Sequence, residues 1–313
     1  MQLTVKNPVV LITGPTAVGK TQLSLNLVHQ FDGEIISADS RLFYRGLDIG
    51  TAKPTLEERM RVKHHLIDIA NPDETLSLAV FQQAVYRITR QLWENEKTPF
   101  VVGGTGQFIK AIMEGWVIPP YAPDTALRQK ILEWGAEVGA EDLHEKLQMI
   151  DPAAAEKIES GNLRRTVRAF EVIFSSGALF SSQRQRQFYG IKYKVIGLNR
   201  DRKTLYQRID ERIHQMFAEG FVDEVRSLIG QGYDPSLPSL SAIGYKEVIA
   251  YLQGKMNMDE VILLMKRRTR SYVRRQANWF KPDDPRIKWF EINDDVESSV
   301  IDYIGSSKDW KDG

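Results

Sequence analysis

Residues near the amino terminus combine types and spacing that suit phosphate binding. GPTAVGKT, residues 14–21, fits the pattern G-x-x-x-x-G-K-S/T and follows the apolar run 8–13. Backbone N–H groups of such a loop lie at the positive end of the next helix and cradle phosphate oxygens. The lysine adds a charge and the threonine a hydroxyl for Mg²⁺. The predicted phosphate loop consists of Gly14, Pro15, Thr16, Ala17, Val18, Gly19, Lys20 and Thr21.

Two more polar residues follow predicted strands. Asp39 comes directly after the predicted strand 34–38, and Thr105 follows the glycine pair at 103–104. Because parallel strands end at the same edge of a sheet, both residues are expected in the crevice of the phosphate loop. Asp39 suits a metal-bridging acid, a general base or a helix N-cap, and Thr105 suits a substrate contact or an N-cap. Their convergence with the loop predicts a site.

Arginines are grouped at helical spacing in two further segments. Each group suits a solvated helix face, an ion pair with Glu171 or Asp210, or phosphate recognition by the planar guanidinium. The first group is Arg164, Arg165 and Arg168, and the second is Arg208 and Arg212.

A third basic segment, Lys266–Arg275, holds six basic residues, no acidic residue and the aromatic Tyr272. Its composition is typical of a helix that faces nucleic acid, and equally of an amphipathic core helix with a wet side.

Composition excludes several classes of protein. The 42 basic and 41 acidic residues give a net charge of +1, which argues against a general polyanion binder. With no cysteine, the chain has no disulfide, thiolate metal site or cysteine nucleophile. We expect no membrane span and no signal peptide, and therefore a cytoplasmic protein. The adjacent His64 and His65 are predicted to be structural.

The order of predicted elements indicates an α/β fold. Alternating strands and helices predict a P-loop-like parallel sheet flanked by helices, which the chain leaves for an all-helical insertion. We predict a core of residues 1–118 and 191–313, an insertion at 119–190, and a frayed tail after residue 293. The predicted strands are 8–13, 34–38, 65–69, 100–102, 193–198 and an edge strand at 289–292. The predicted helices are 20–30, 78–95, 203–219, 222–231, 245–252 and 258–280, with one more beginning near Gln107 and others within 123–180.

Several motifs in sequence order resemble the tRNA dimethylallyltransferase (IPP transferase) family. They are GPTAVGKT, the segment 38–54 ending in IGTAKP, VGGTG, NLRRTVRAFEV, AIGYKE and TRSYVRRQANWF, and they cover roughly residues 8–282. Leu42 stands where many family members carry glutamine.

The resemblance implies a prenyltransferase. A dimethylallyl group would pass from dimethylallyl diphosphate to N6 of adenosine 37, next to the anticodon of tRNA, with Mg²⁺ as cofactor. Asp39 would take the proton from the attacking amine, with Thr105 as a second catalytic residue. The phosphate loop, Arg208 and Arg212 would hold the diphosphate, with Thr21 on the metal.

The same resemblance implies a set of tRNA contacts around a flipped adenosine, with the insertion clamping the anticodon stem-loop. These residues are Asp39, Ser40, Arg41, Leu42, Thr105, Arg128, Arg164, Arg165, Thr166, Val167, Arg168, Arg270, Arg274 and Gln276. We expect a monomer. The main alternative is a P-loop kinase acting on a nucleotide or small molecule, and a third is a non-catalytic RNA-binding or nucleotide-switch protein.

Overall fold

The computed structural model describes residues 8–118, 124–183, 186–187, 189–306 and 311–312. The chain forms two compact units, an α/β unit of residues 1–113 and 189–313 and a helical unit of residues 114–188. The insertion was predicted at 119–190. Among the described helices, none is long and apolar enough to cross a membrane.

A parallel sheet forms the centre of the α/β unit. Its strand order is β3-β2-β4-β1-β5-β6, and β7 pairs antiparallel with the start of β5. The predicted parallel sheet is therefore confirmed. The strands are β1 (Val9–Thr13), β2 (Gly33–Ser37), β3 (His64–His65), β4 (Thr98–Gly103), β5 (Lys192–Asn199), β6 (Ile287–Glu291) and β7 (Lys311–Asp312).

Most helices lie where they were predicted, and α1 begins and ends at the predicted residues, whereas α2 and α13 were not predicted. Those of the described residues are α1 (Lys20–Gln30), α2 (Leu56–Arg61), α3 (Leu78–Glu94), α4 (Gly106–Met113), α5 (Thr125–Val138), α6 (Ala140–Ile150), α7 (Pro152–Ala155), α8 (Leu163–Ser176), α9 (Arg202–Ala218), α10 (Phe221–Gly230), α11 (Tyr245–Leu252), α12 (Met258–Ala277) and α13 (Val296–Gly305). Two 3₁₀ turns, Phe180–Gln183 and Ser239–Ser241, complete the set.

Strand β1 shows why this fold places a site at the edge of the sheet. All five of its residues are buried, as expected for a parallel strand covered on both faces. Its neighbours β4 and β5 run in the same direction, with Ile12 opposite Val102 and Ile196. The strands therefore end together, and the loops after them meet at one edge.

Two predictions were wrong. The tail was predicted to fray after residue 293, but residues 296–305 form α13, which buries Val300 and Ile304 against the core. The strand predicted at 65–69 is only the two-residue β3, since Leu66 and Asp68 adopt positive φ angles of 61° and 55° that end the extended backbone.

The helical unit has its own apolar core. Ile131, Leu143, Leu147 and Phe170 are among its buried residues. Helix α7 starts at Pro152, because the Asp151 carboxylate accepts the Ala154 N–H at 3.1 Å and the proline fills the first helical position.

Candidate active site

The phosphate loop connects β1 to α1 and requires glycine at its ends. Gly14 and Gly19 have φ angles of 152° and 120°, which side-chain-bearing residues rarely adopt. A Cβ at Gly14 would also lie 2.6 Å from the carbonyl oxygen of Leu198. Because α1 begins at Lys20, its free N–H groups lie at this loop, where they can bind an anion.

Lys20 turns back onto the loop that precedes it. Its Nζ donates to the carbonyl oxygens of Gly14 at 2.9 Å and Pro15 at 2.8 Å. Burial lowers the pKa of Lys20 from 10.5 to about 8; nearby Asp39 raises this pKa and Arg212 lowers it further. Lys20 is thus charged at neutral pH, and its ammonium group is desolvated and ready to pair with an anion.

Two arginines donate to the other side of the loop. Arg208 Nε donates to the Ala17 carbonyl oxygen at 3.0 Å, and Arg200 Nε donates to the Val18 carbonyl oxygen at 3.3 Å. Arg208 was predicted at the diphosphate, whereas Arg200 was not singled out in the sequence. Because both arginines donate to carbonyl oxygens of the loop, the protein itself satisfies these hydrogen-bond acceptors.

Arg212, one turn further along α9, lines the same cavity as Lys20. It donates to the Thr51 carbonyl oxygen at 3.3 Å. Burial lowers its pKa, with Asp39 raising the pKa and Arg208 lowering it. This half-buried cation faces the phosphate loop, in agreement with its predicted place.

Asp39 and Thr105 lie at adjacent strand ends, as expected. Asp39 Oδ1 accepts the Arg41 backbone N–H at 3.0 Å, and Thr105 Oγ1 accepts the Ser40 backbone N–H at 3.3 Å. The second carboxylate oxygen of Asp39 has no hydrogen-bond partner among the described residues, so it can accept a proton from a ligand.

A cavity of about 490 Å³ is lined by both polar and apolar residues. The polar residues include Lys20, Thr21, Asp39, Arg208 and Arg212, and the apolar residues include Ile35, Leu42, Pro54, Ile67 and Val102. Such a cavity can hold a charged group beside an apolar one.

His64 also lines this cavity, although it was predicted to be structural. Its Nδ1 is hydrogen-bonded to the Val62 carbonyl oxygen at 2.7 Å. Burial lowers its pKa, so the ring is neutral at pH 7. His65 instead bonds Glu34 through Nε2 at 2.6 Å.

Glu224 holds the segment that carries the IGTAKP motif. Its carboxylate accepts the backbone N–H groups of Asp48 at 3.0 Å, Ile49 at 2.7 Å and Gly50 at 3.2 Å. The Tyr245 hydroxyl donates to the same carboxylate at 2.6 Å. This network positions the next residues of the motif, Thr51, Ala52 and Pro54, as part of the cavity wall.

Helix α12 contacts the two loops that carry the site. The Thr16 backbone N–H donates to Gln276 Oε1 at 3.0 Å, and Gln276 Nε2 donates to the Gly104 carbonyl oxygen at 2.8 Å. Tyr272 lies beside Thr105, and burial, with Asp39 nearby, raises the Tyr272 pKa to about 12. Gln276 is 4% exposed with both ends of its amide in use, so the predicted contact between this side chain and tRNA is wrong.

Three arginines of the α/β unit that were predicted to contact tRNA differ in whether their side chains are already bonded to other groups of the protein. Arg41 donates to the carbonyl oxygens of Pro238 at 2.9 Å and Ser239 at 3.1 Å. Arg270 donates to both carboxylate oxygens of Asp210, at 2.8 and 2.7 Å. Arg274 is exposed and has no ion-pair partner in the part of the chain that the structure describes.

In the helical unit, Glu171 is shared by two predicted tRNA-binding arginines. Its buried carboxylate lies 3.3 Å from Arg128 Nη1 and 3.0 Å from Arg168 Nη1. Arg164 and Arg165 are exposed.

Two predicted tRNA contacts of the helical unit are excluded by burial. Thr166 and Val167 are both fully buried, and the Thr166 hydroxyl donates to the Asn162 carbonyl oxygen at 3.3 Å. The prediction that these two side chains contact tRNA is therefore wrong.

The residues of the phosphate loop suit a metal ion that is held mainly by its ligand. Among the described residues, no cluster of three or more histidine, aspartate or glutamate side chains could hold a metal ion. Mg²⁺ bound to a diphosphate needs only one or two protein oxygens, because phosphate oxygens and waters supply the rest. The exposed Thr21 side chain, in the same cavity as Asp39, fits that requirement.

Comparison with known proteins gives one consistent result. The model of the IPP transferase family matches residues 42–283. A tRNA dimethylallyltransferase of a Roseiflexus species is 46% identical over 88% of this chain and 90% of its own length. That of Herpetosiphon aurantiacus is also 46% identical, over 95% and 94% of the two chains.

Solved structures agree with the sequence relatives. The tRNA isopentenylpyrophosphate transferase of Bacillus halodurans is 37% identical with a TM-score of 0.70, over 96% of this chain and 97% of that one. A eukaryotic dimethylallyltransferase that acts on tRNA has a TM-score of 0.80 at 26% identity, over 95% and 78%. The family resemblance of the motifs is thereby confirmed: this chain belongs to the IPP transferase family of tRNA dimethylallyltransferases.

Proposed function

We propose that the cavity transfers a dimethylallyl group from dimethylallyl diphosphate to N6 of adenosine 37 in tRNA. The observation that carries this proposal is the composition of the cavity wall. A phosphate loop, a carboxylate with one free oxygen and an apolar surface all line the same space. These three features match the three demands of the reaction: a diphosphate, an acceptor for a proton and a place for a prenyl chain.

The diphosphate lies in the phosphate loop. Its oxygens accept the N–H groups at the start of α1, and Lys20, Arg208 and Arg212 supply positive charge around it. As the bond between C1 of the prenyl group and the diphosphate oxygen breaks, negative charge grows on the leaving group. Cations that are already fixed in a desolvated cavity stabilise that charge without reorganising during the reaction.

The acceptor is the exocyclic amine of an adenine, which is a poor nucleophile. N6 forms a bond to C1 as the C1–O bond breaks, diphosphate leaves, and one proton of N6 passes to the free oxygen of Asp39. Thr105, next to Ser40, contributes a hydroxyl for positioning the base. General-base help of this kind contributes about 10²–10⁴-fold to the rate.

Thr21 would hold Mg²⁺, which when bound offsets charge on the diphosphate oxygens. The hydroxyl is the first polar group after Lys20, and it lies on the same helix N-terminus as the amides of the loop. Residues of this chain then orient the donor, and the apolar wall around Leu42 and Val102 excludes water from its prenyl end.

The tRNA must present its adenine outside the stack. Flipping a base out costs a few kcal/mol, and less in a loop than in a duplex. Arg274 of α12 and the exposed Arg164 and Arg165 bind phosphates of the anticodon stem-loop, with Arg128 and Arg168 beside them. We propose that the enzyme works in the cytoplasm as a monomer.

The test is a transfer assay. The protein is incubated with dimethylallyl diphosphate, Mg²⁺ and an unmodified tRNA that carries adenosine at position 37, and the nucleosides are analysed by mass spectrometry. We expect N6-dimethylallyladenosine, and none with a matched tRNA that carries guanosine at that position. Phosphate transfer from ATP to a small acceptor, without prenyl transfer, would instead support a kinase.

A further inference from the structure

Gln276, near the end of α12, joins the two loops of the site. Its Oε1 accepts the Thr16 backbone N–H at 3.0 Å and its Nε2 donates to the Gly104 carbonyl oxygen at 2.8 Å. Thr16 belongs to the phosphate loop, and Gly104 precedes Thr105. The two backbone groups are therefore held at a fixed distance by one side-chain amide.

The loop after β4 is shaped for this contact. A Cβ at Gly104 would lie 2.5 Å from Gln276 Nε2, and a Cβ at Gly106 would overlap Trp279, which follows α12. The end of α12 therefore packs directly on a glycine loop, and side chains at these two positions would push it away. Tyr272, one turn earlier on α12, lies beside Thr105 itself.

The amide is suited to this role in a way that other side chains are not. A primary amide presents an acceptor and a donor side by side, and here each meets a backbone group of the opposite kind. The side chain is 4% exposed, so water cannot replace either bond, and loss of one leaves a buried polar group unpaired. Because the Thr16 N–H donates to Gln276, it does not donate to a phosphate oxygen.

We propose that Gln276 is a positioning residue that sets the place of the donor diphosphate relative to Thr105 and Asp39. This proposal rests on the proposed function, because it takes the phosphate loop as the donor site. Gln276 acts through the phosphate loop and the Gly104 loop, without touching tRNA. Displacing a reacting group by about 1 Å can lower the rate a hundredfold. The hydrogen bonds of Gln276 to the two loops therefore affect the rate of the transfer step.

Two variants separate hydrogen bonding from packing. Gln276→Met keeps the length of the side chain and removes both bonds, and Gln276→Glu keeps the volume and the acceptor while losing the donor to Gly104. The matched control is Gln253→Met, a change at an exposed glutamine at the end of α11. Initial rates are measured against dimethylallyl diphosphate and against tRNA separately.

For both variants we expect kcat/KM for the donor to fall roughly tenfold to a hundredfold, through a higher donor KM and a lower kcat. The KM for tRNA should stay within about twofold, and the control should match the wild type. If Gln276→Glu keeps full activity, only the volume of the side chain matters and the proposal is overturned. It is equally overturned if the variants raise the KM for tRNA while the donor KM is unchanged.

Binding of inorganic pyrophosphate, measured by calorimetry, provides a readout that does not depend on turnover. If the wild type binds pyrophosphate but transfers no prenyl group to tRNA, the proposed function fails, and the inference can still be tested by the affinities of the variants. We expect weaker pyrophosphate binding in both Gln276 variants. Equal affinities in wild type and variants would contradict the role of Gln276 in positioning the loop.

Discussion

The cations around the phosphate loop and two arginines of the helical unit are held in different ways. Around the phosphate loop, Lys20, Arg208 and Arg212 donate to backbone carbonyl oxygens. In the helical unit, Arg128 and Arg168 pair with the buried carboxylate of Glu171. A carbonyl oxygen fixes a cation without neutralising it, whereas a carboxylate removes one full charge from the pair.

This difference indicates how each unit binds an anion. A cavity that stabilises a small leaving group needs full charges at fixed places in a desolvated site. A surface that follows the backbone of a folded RNA needs several moderate contacts, each of which is screened by salt. Predictions for single residues should therefore differ between the two units in size and in salt dependence.

The largest effect is expected at Asp39. Asp39→Asn keeps the size of the side chain but removes the proton acceptor, so kcat should fall by about 10²–10⁴-fold. Binding of tRNA, measured by filter retention, should change little because the phosphate contacts remain. An unchanged single-turnover rate would remove Asp39 from the proton transfer.

The next effect concerns Lys20 and pH. Its pKa of about 8 in the free protein, lowered from 10.5 by burial, means that the charge is lost as pH rises through about 8. Affinity for dimethylallyl diphosphate should therefore fall by up to about tenfold per pH unit above that value. Calorimetry at pH 7 and pH 9 measures this change. Lys20→Met should bind more weakly at both pH values and with little difference between them; a wild-type affinity that is flat with pH would contradict the role of Lys20.

Arg168→Ala should affect the helical unit in two ways. It removes a cation that we propose binds tRNA, and it leaves the buried carboxylate of Glu171 with Arg128 as its remaining partner. We expect a loss of roughly 1 kcal/mol in the free energy of unfolding together with weaker tRNA binding. Urea denaturation and tRNA titration measure the two effects. A variant of undiminished stability would show that the ion pair only orders the arginine.

Arg165→Ala is the matched case, since this arginine pairs with no carboxylate among the residues that the structure describes, and it should give the smallest effect. Stability should be unchanged within about 0.5 kcal/mol, because the side chain is exposed. Affinity for tRNA should fall severalfold, and the slope of log Kd against log salt should become shallower by about 0.7–0.9, as for one lost phosphate contact. If the slope does not change, Arg165 does not contact a phosphate.

Much of the secondary structure could be predicted, because it depends on residues that are close together in the sequence. Helix α1 starts and ends at the predicted residues, since a glycine with positive φ precedes it and its buried residues repeat at helical spacing. Helix α13 was missed although Val296, Val300 and Ile304 are spaced four apart. The polar residues of this segment hid a narrow apolar face, which packs against α1 and β6.

Individual residues of the site could be predicted from the sequence, but the contacts that these residues make with the rest of the protein could be predicted less well. Asp39 and Thr105 lie where the strand ends placed them. Three other predicted residues are corrected by burial: Thr166, Val167 and Gln276 lie inside the protein. A motif identifies a stretch of chain, but the side of a helix that faces the core depends on what packs against it.

The sequence by itself determined the phosphate loop, the helix that follows it and the parallel sheet, because these depend on backbone geometry and apolar spacing over short distances. The tertiary structure alone decided that Gln276 holds the amide of Thr16, a residue 260 positions away. It also decided that Glu224 binds the backbone of residues 48–50. Such contacts form only where folding buries unpaired backbone groups next to a side chain that can hydrogen-bond to them. Because the two partners are far apart in the sequence, no local pattern predicts the contact.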